Sequence, residues 1–137
     1  MTVEDHATLR VIVVPTESAT AAIRAGKLLD DLGHQVIEAK TPDHALGLLQ
    51  EEPTDLLVVD LSGSIRNRRF VENLSTQSSI VRPRQLAIFT DAVDEDLRGL
   101  RNRMRPCKVH VFLKPLHMHG LLGVVRQLDR MSETADA

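Results

Sequence analysis

Short apolar runs recur along the chain and are separated by longer segments of mixed polarity. Four of these runs are almost continuously apolar, which is typical of strands buried on both faces of a parallel sheet. The run at 34–39 is more polar and therefore predicts an edge strand. The five predicted strands cover residues 10–14, 34–39, 55–60, 85–90 and 109–113.

The segments between the apolar runs show helical spacing and helix boundary signals. Thr41 followed by Pro42 predicts a capped helix start. Gly33 stands where glycine commonly ends a helix. The five predicted helices cover approximately residues 18–33, 41–52, 65–74, 93–104 and 117–131.

Strands that alternate with helices predict a parallel α/β sheet covered on both faces. A chain of 137 residues is long enough for one such domain. We predict a doubly wound, flavodoxin-like fold with a five-stranded parallel sheet in the order 2-1-3-4-5 and five helices. The domain is expected to cover residues 8–131, with flexible tails at 1–7 and 132–137.

Composition and charge argue against several classes of function. The net charge of -2 gives no general attraction to nucleic acid or to an anionic membrane. Trp and Tyr are absent and Phe occurs 3 times, so base stacking on aromatic side chains is not expected. No stretch approaches the roughly 20 apolar residues of a membrane span, and no secretory signal is visible. These features predict a cytoplasmic protein.

The residue patterns of common enzymes are not visible in the sequence. Cys107 is the single cysteine and has no paired base nearby, so neither a disulfide nor a thiol nucleophile is expected. His117 and His119 would not share a helix face, which argues against a metal site there. No catalytic triad, phosphate-binding glycine loop or zinc-ligand spacing is present. The chain is therefore not expected to be an enzyme.

Three polar side chains stand at the ends of predicted strands. Asp60 ends the third strand, Thr90 ends the fourth, and Lys114 follows the fifth. The carboxyl ends of parallel strands meet at one edge of the sheet, where open α/β sheets bind their ligands. A carboxylate, a hydroxyl and an ammonium group are therefore expected to converge at this edge.

The order and spacing of these residues resembles the receiver domain of response regulators, over about residues 10–131. The resemblance implies that Asp60 accepts a phosphoryl group from a histidine kinase, that Thr90 contacts this group, and that Lys114 pairs with the acceptor. It implies signalling proteins as partners, either a histidine kinase or a downstream target. It also implies that the face formed by the fourth helix, fifth strand and fifth helix binds partners or forms a homodimer.

The chain departs from the receiver pattern where a metal would bind. Receivers usually carry two adjacent acidic residues after the first strand, and here Pro15 and Thr16 occupy those positions. Mg²⁺ prefers oxygen ligands in near-octahedral geometry, and Asp60 and the displaced Glu17 remain as candidate ligands. No cofactor is therefore expected, and a Mg²⁺ site on Asp60 and Glu17 is the weaker alternative.

Two further departures concern the switching residues of receivers. Asp91 stands directly after Thr90, where the family prefers a small residue, and Val111 replaces the usual aromatic switch residue. We therefore predict an atypical receiver, or pseudo-receiver, that acts through protein–protein contacts. The alternative is a phosphorylatable response regulator whose metal site is rebuilt from Glu17 or Asp91.

Three arginines follow the third strand closely, at Arg66, Arg68 and Arg69. Guanidinium groups bind phosphate in a bidentate manner. They allow a second alternative, a receiver-like domain that binds a cyclic dinucleotide. The simpler interpretation of these arginines is a solvated helix face.

Overall fold

The computed structural model describes residues 8–16, 21–77, 79–114 and 118–130, and only the backbone at 118 and 119. Five parallel strands form one sheet. The strands are β1 Arg10–Val14, β2 Gln35–Glu38, β3 Leu56–Asp60, β4 Gln85–Thr90 and β5 Lys108–Leu113. Their order in the sheet is β2-β1-β3-β4-β5, which confirms the predicted topology and places β2 and β5 at the two edges.

Five helices cover the two faces of this sheet. The helices are α1 Ala21–Asp31, α2 Pro42–Glu51, α3 Ile65–Thr76, α4 Glu95–Arg103 and α5 Met118–Asp129. Helices α1 and α5 pack on one face, and α2, α3 and α4 pack on the other. None of the described helices has the length and apolar character needed to cross a bilayer.

The central strand β3 shows why the apolar runs are continuous. Leu57 and Val59 belong to the core on the α2–α4 side, whereas Leu56 and Val58 belong to the core on the α1–α5 side. Successive side chains of a strand point to opposite faces, and both faces of this sheet are covered. Every position of β3 is therefore buried, including Asp60 at its end.

Some predicted boundaries differ from those in the structure. Helix α3 continues to Thr76, two residues beyond the predicted end. The hydroxyls of Ser75 and Thr76 bond back to the carbonyl of Glu72, as these residues do inside helices. Helix α4 begins two residues later than predicted, because the carboxylate of Asp94 caps its first turn. Strand β5 begins one residue earlier, and the predicted tails lie outside the described residues.

A buried histidine joins the first strand to the last helix. His34 follows Gly33, whose φ of 97° ends the α1 turn. The Leu9 N–H donates to His34 Nδ1 at 3.1 Å. His34 Nε2 lies 2.7 Å from Asp129 Oδ1 at the end of α5. Because Nδ1 accepts a hydrogen bond, we assign the ring proton to Nε2, where it is donated to Asp129.

Candidate functional site

The structure places Asp60 and Lys114 in direct contact at the carboxyl edge of the sheet. Asp60 is 0% exposed, at the end of β3. Lys114 Nζ lies 3.1 Å from Asp60 Oδ1 and 3.0 Å from Oδ2, so it engages both carboxylate oxygens. The backbone N–H of Ser62 also donates to Oδ1, at 3.0 Å. The carboxylate therefore has its charge and its hydrogen bonds satisfied within the protein.

A buried asparagine holds the backbone around this pair. The Asn67 side-chain amide donates to the carbonyl of Asp60 at 2.8 Å and to the carbonyl of Pro15 at 3.3 Å. Its own backbone N–H is accepted by Ser64, the cap of α3, at 3.1 Å. Asn67 thus fixes the first turn of α3 against the ends of β1 and β3.

Asn67 was not predicted as a site residue, although its position in the sequence carries a signal. It lies three residues before Phe70 and four before Val71, on the inward face of α3. A polar residue on an apolar helix face is expected to hold a buried partner. The structure identifies these partners as two backbone carbonyls at the edge of the site.

Thr90 lies at the same edge but its hydroxyl bonds to its own loop. The Thr90 hydroxyl donates to the carbonyl of Ala92 at 3.0 Å, and the side chain is almost completely buried. Among the described residues it forms no hydrogen bond with Asp60 or with the Lys114 side chain. The Thr90 carbonyl accepts from the backbone N–H of Lys114 at 2.9 Å, which joins the ends of β4 and β5. Asp91 is exposed to solvent.

The described residues do not fit a Mg²⁺ site. Pro15 and Thr16 follow β1, and neither supplies a carboxylate. Both oxygens of Asp60 are engaged by Lys114. Over the described part of the chain, no group of three or more His, Cys, Asp or Glu side chains could hold a metal. Glu17, the other candidate ligand, lies outside the described residues.

The three arginines after β3 do not form one cluster. Arg68 forms an ion pair with Asp94 and a longer one with Glu72, at 3.8 Å. The N–H of Leu97, and after it Arg68, lowers the pKa of the Asp94 carboxylate below its usual value. Arg68 therefore joins α3 to the capped start of α4.

Arg66 lies instead beside a cleft at the carboxyl edge. This carboxyl-edge cleft has a volume of about 430 Å³ and is lined by Lys40, Ser62 and Arg66, among others. The hydroxyl oxygens of Thr16 and Ser62 are buried there and have no hydrogen-bond partner among the described residues. Arg66 and Arg69 are both exposed, and neither forms an ion pair with a described residue. The cleft thus carries positive charge from Lys40 and Arg66.

The face formed by α4, β5 and α5 carries exposed apolar surface. Leu113, at the end of β5, is 54% exposed. Val111, at the position of the receiver switch residue, is half-buried and packs against the core beneath α4. A valine side chain fills this site without the reach of an aromatic ring.

The sequence matches no protein-family model and no curated protein. Solved structures do match it over most of their length. A CheY-like response regulator receiver domain protein from Methanospirillum hungatei is 17% identical, with 93% of this chain and 99% of that chain covered and a TM-score of 0.63.

Two further structures show the same likeness. The signal receiver domain of a LuxO repressor protein from Vibrio parahaemolyticus is 18% identical, with coverage of 94% and 95% and a TM-score of 0.62. A CheY-like receiver domain from Methylobacillus flagellatus is 15% identical, with coverage of 88% and 99% and a TM-score of 0.60. The fold of this chain is therefore the receiver-domain fold.

Proposed function

We propose that this chain is a signalling module with a receiver fold that acts through protein–protein contacts and not through Mg²⁺-dependent phosphorylation of Asp60. The observation that carries this proposal is the contact of Lys114 with both oxygens of a fully buried Asp60. In this role Asp60 is a structural partner of Lys114. The module has no enzymatic activity of its own.

The surroundings of Asp60 support this proposal. Phosphoryl transfer to a carboxylate brings two anionic groups together, so it needs positive charge beyond the one lysine that already neutralises the carboxylate. In receivers a metal supplies this charge, but Pro15 and Thr16 offer no carboxylate to hold one. The Thr90 hydroxyl donates to the carbonyl of Ala92 and, among the described residues, forms no hydrogen bond with Asp60.

The first experiment is an amide NMR titration with millimolar Mg²⁺ and then with beryllofluoride, which mimics a phosphoryl group. We expect no chemical-shift change at Asp60, Thr90 or Lys114. Asp60→Ala serves as the control for nonspecific metal effects. Shifts that require Mg²⁺, spread to α4 and α5 and vanish in Asp60→Ala would instead support a phosphorylatable regulator.

The α4–β5–α5 face is the contact surface that we propose. Its exposed Leu113, at the carboxyl end of β5, provides an apolar anchor on this face. Sedimentation of the protein at high concentration tests whether the contact is made with a second copy. We expect Leu113→Glu to abolish any self-association, whereas Leu32→Glu, at a 50% exposed leucine beyond α1, leaves it unchanged. Equal effects of both variants would contradict this assignment.

A second candidate function rests on the carboxyl-edge cleft. Lys40 and Arg66 place two cations in the lining of this cleft, to which Thr16 and Ser62 also contribute. This arrangement favours an anion such as a cyclic dinucleotide. Calorimetry with a cyclic dinucleotide should show binding that Arg66→Ala weakens and Arg24→Ala, on α1, does not. Absence of heat at high micromolar protein removes this candidate.

A further inference from the structure

A second cleft lies at the opposite, amino edge of the sheet, below the start of β4 and β5. This amino-edge cleft has a volume of about 430 Å³. Three cationic side chains line it, at Arg82, Arg84 and Lys108, and none of its lining residues is acidic. Pro83 and Pro106 contribute apolar wall. A concave cleft lined by charge of one sign focuses the electric field and attracts ions of the opposite sign.

The cations of the amino-edge cleft are only weakly neutralised. Among the described residues Arg84 has one ion pair, with Asp55, at a nitrogen–oxygen distance of 3.7 Å. Asp55 also accepts the backbone N–H of Arg10 at 2.8 Å, so its charge is shared. Lys108 is exposed and forms no ion pair with any residue that the structure describes. Two flexible cations thus face the cleft with unused hydrogen-bond donors.

The third cation is held rigidly in place. The Arg82 Nε donates to the carbonyl of Leu74 at 2.9 Å, and Nη2 donates to the carbonyl of Ser75 at 3.1 Å. Nη1 reaches the carbonyl of Arg105 at 3.3 Å. These bonds fix the guanidinium plane while leaving its positive charge unpaired by any carboxylate among the described residues. A fixed cation lowers the ordering cost of binding an anion.

The positive field extends beyond the cleft itself. Arg101 and Arg105 are exposed near the same edge and have no ion pair with described residues. Partial burial, and then the charges of Arg101 and Lys108, lower the pKa of His110 on β5. The whole chain has a net charge of -2, so these cations represent a local concentration and not a general excess.

We infer that the amino-edge cleft binds the phosphate group of a small ligand, such as a diphosphate or a nucleotide. A guanidinium fork and an ammonium group are the side chains that bind phosphate best. The volume lies within the range of small-molecule sites, about 300–1,000 Å³, and the prolines can contact the uncharged part of the ligand. A concave site of this size suits a small ligand better than the flat surface of a partner protein. The inference is independent of the proposed function, because it concerns the opposite edge of the sheet.

Calorimetry with inorganic pyrophosphate at low ionic strength tests this inference. We expect binding by the wild-type protein, with amide shifts at Gln85, Cys107 and Lys108 in a parallel NMR titration. The double variant Arg84→Gln with Lys108→Gln should raise the Kd about tenfold or more, because two charge-assisted contacts are lost. Both residues are exposed, so the fold should remain intact.

Two double variants control for the loss of charge. Arg24→Gln with Lys27→Gln removes the same charge from exposed positions of α1 and should leave the Kd within about twofold. Lys40→Gln with Arg66→Gln removes it from the carboxyl-edge cleft and distinguishes the two sites. Equal weakening in all three variants, or no binding by the wild type, would overturn the inference. Binding of an acidic peptide in place of pyrophosphate would also overturn it, in favour of a protein partner.

Discussion

The charged side chains at the carboxyl ends of the strands and those at the amino ends have opposite surroundings. At the carboxyl edge, the carboxylate of Asp60 and the ammonium of Lys114 neutralise each other in a buried contact. At the amino edge, Arg84 and Lys108 are exposed. Arg84 forms one long ion pair, with Asp55, and Lys108 forms none with a described residue. A resemblance in sequence therefore identifies where a site would be, whereas the availability of its charges depends on the folded surroundings.

Removing the lysine of the carboxyl edge should produce the largest effect. Lys114→Met leaves the carboxylate of Asp60 buried without its positive partner, and we expect the free energy of unfolding to fall by about 3 kcal/mol. Urea denaturation measures this loss. The double variant Asp60→Asn with Lys114→Met should recover most of it, because no buried charge remains. A loss below about 1 kcal/mol would indicate an ordinary exposed ion pair and contradict the proposed structural role.

Removing the side chain of Asn67, which supports the carboxyl edge, should produce the next largest loss of stability. Asn67→Ala leaves the carbonyls of Asp60 and Pro15 without their donor, and we expect a loss of about 2 kcal/mol of unfolding free energy. Asn102, which is exposed on α4, provides the matched control. Asn102→Ala should change the same quantity by less than about 0.5 kcal/mol. Similar losses in both variants would show that Asn67 has no special bracing role.

A smaller effect is expected at the amino edge, where two arginines near the same cleft have different surroundings. Arg82→Ala removes three hydrogen bonds to carbonyls, two of them at the end of α3, and should cost about 1 to 2 kcal/mol of unfolding free energy. Arg84→Ala should cost little, because Arg84 is exposed and its one ion pair is long. Thermal unfolding of the two variants compares these costs. If Arg84→Ala proves the more destabilising, the division between a fixed and an available cation is wrong.

The smallest effect concerns the electric field of the amino edge. Arg101→Gln and Lys108→Gln should each raise the pKa of His110, because each removes a charge that repels the ring proton. An NMR titration of the His110 ring measures this change, with Arg24→Gln as the control that leaves it unaltered. If neither variant raises this pKa, the cations do not generate the field that we describe.

The lowered pKa of His110 also makes the stability of the fold depend on pH. The pKa of His110 is lowered in the folded protein, so folding favours the neutral ring. The stabilisation is present above the ordinary histidine pKa of 6.5 and is lost as the pH falls through the lower folded value. Arg101→Gln and Lys108→Gln should therefore reduce the loss of stability on acidification.

The architecture could be predicted from the sequence because a strand that is buried on both faces appears as a continuous apolar run. Strand β4 was predicted at its observed bounds, Gln85–Thr90, since its apolar centre is flanked by polar residues. The approach of Lys114 to Asp60 agrees with the expectation that the strand ends converge. The hydroxyl of Thr90 was also expected at this edge. Its hydrogen bond to the carbonyl of Ala92 depends on the conformation of the loop, which no residue pattern specifies.

The amino-edge cleft was not predicted, for a different reason. Its cations come from segments that are more than twenty residues apart, around Arg82 and around Lys108, and nothing in either segment indicates the other. The pairing of β4 with β5 brings the segments together, with Gln85 beside Lys108. Similarly, adjacency in sequence suggested that Arg66 and Arg68 act together, but helical geometry directs Arg68 to Asp94 and Arg66 to the carboxyl-edge cleft. Three-dimensional neighbours, and not local composition, decide both cases.

The buried imidazole of His34 couples two distant parts of the fold through a single proton. Its Nδ1 accepts the N–H of Leu9, and its Nε2 donates to Asp129, which is 95 residues from His34 along the chain. Release of α5 from the sheet would remove the Asp129 acceptor from Nε2 and weaken the preference for the tautomer that accepts the Leu9 N–H. The hydrogen-exchange rate at Leu9, directly before the first strand, is therefore expected to report the opening of the last helix.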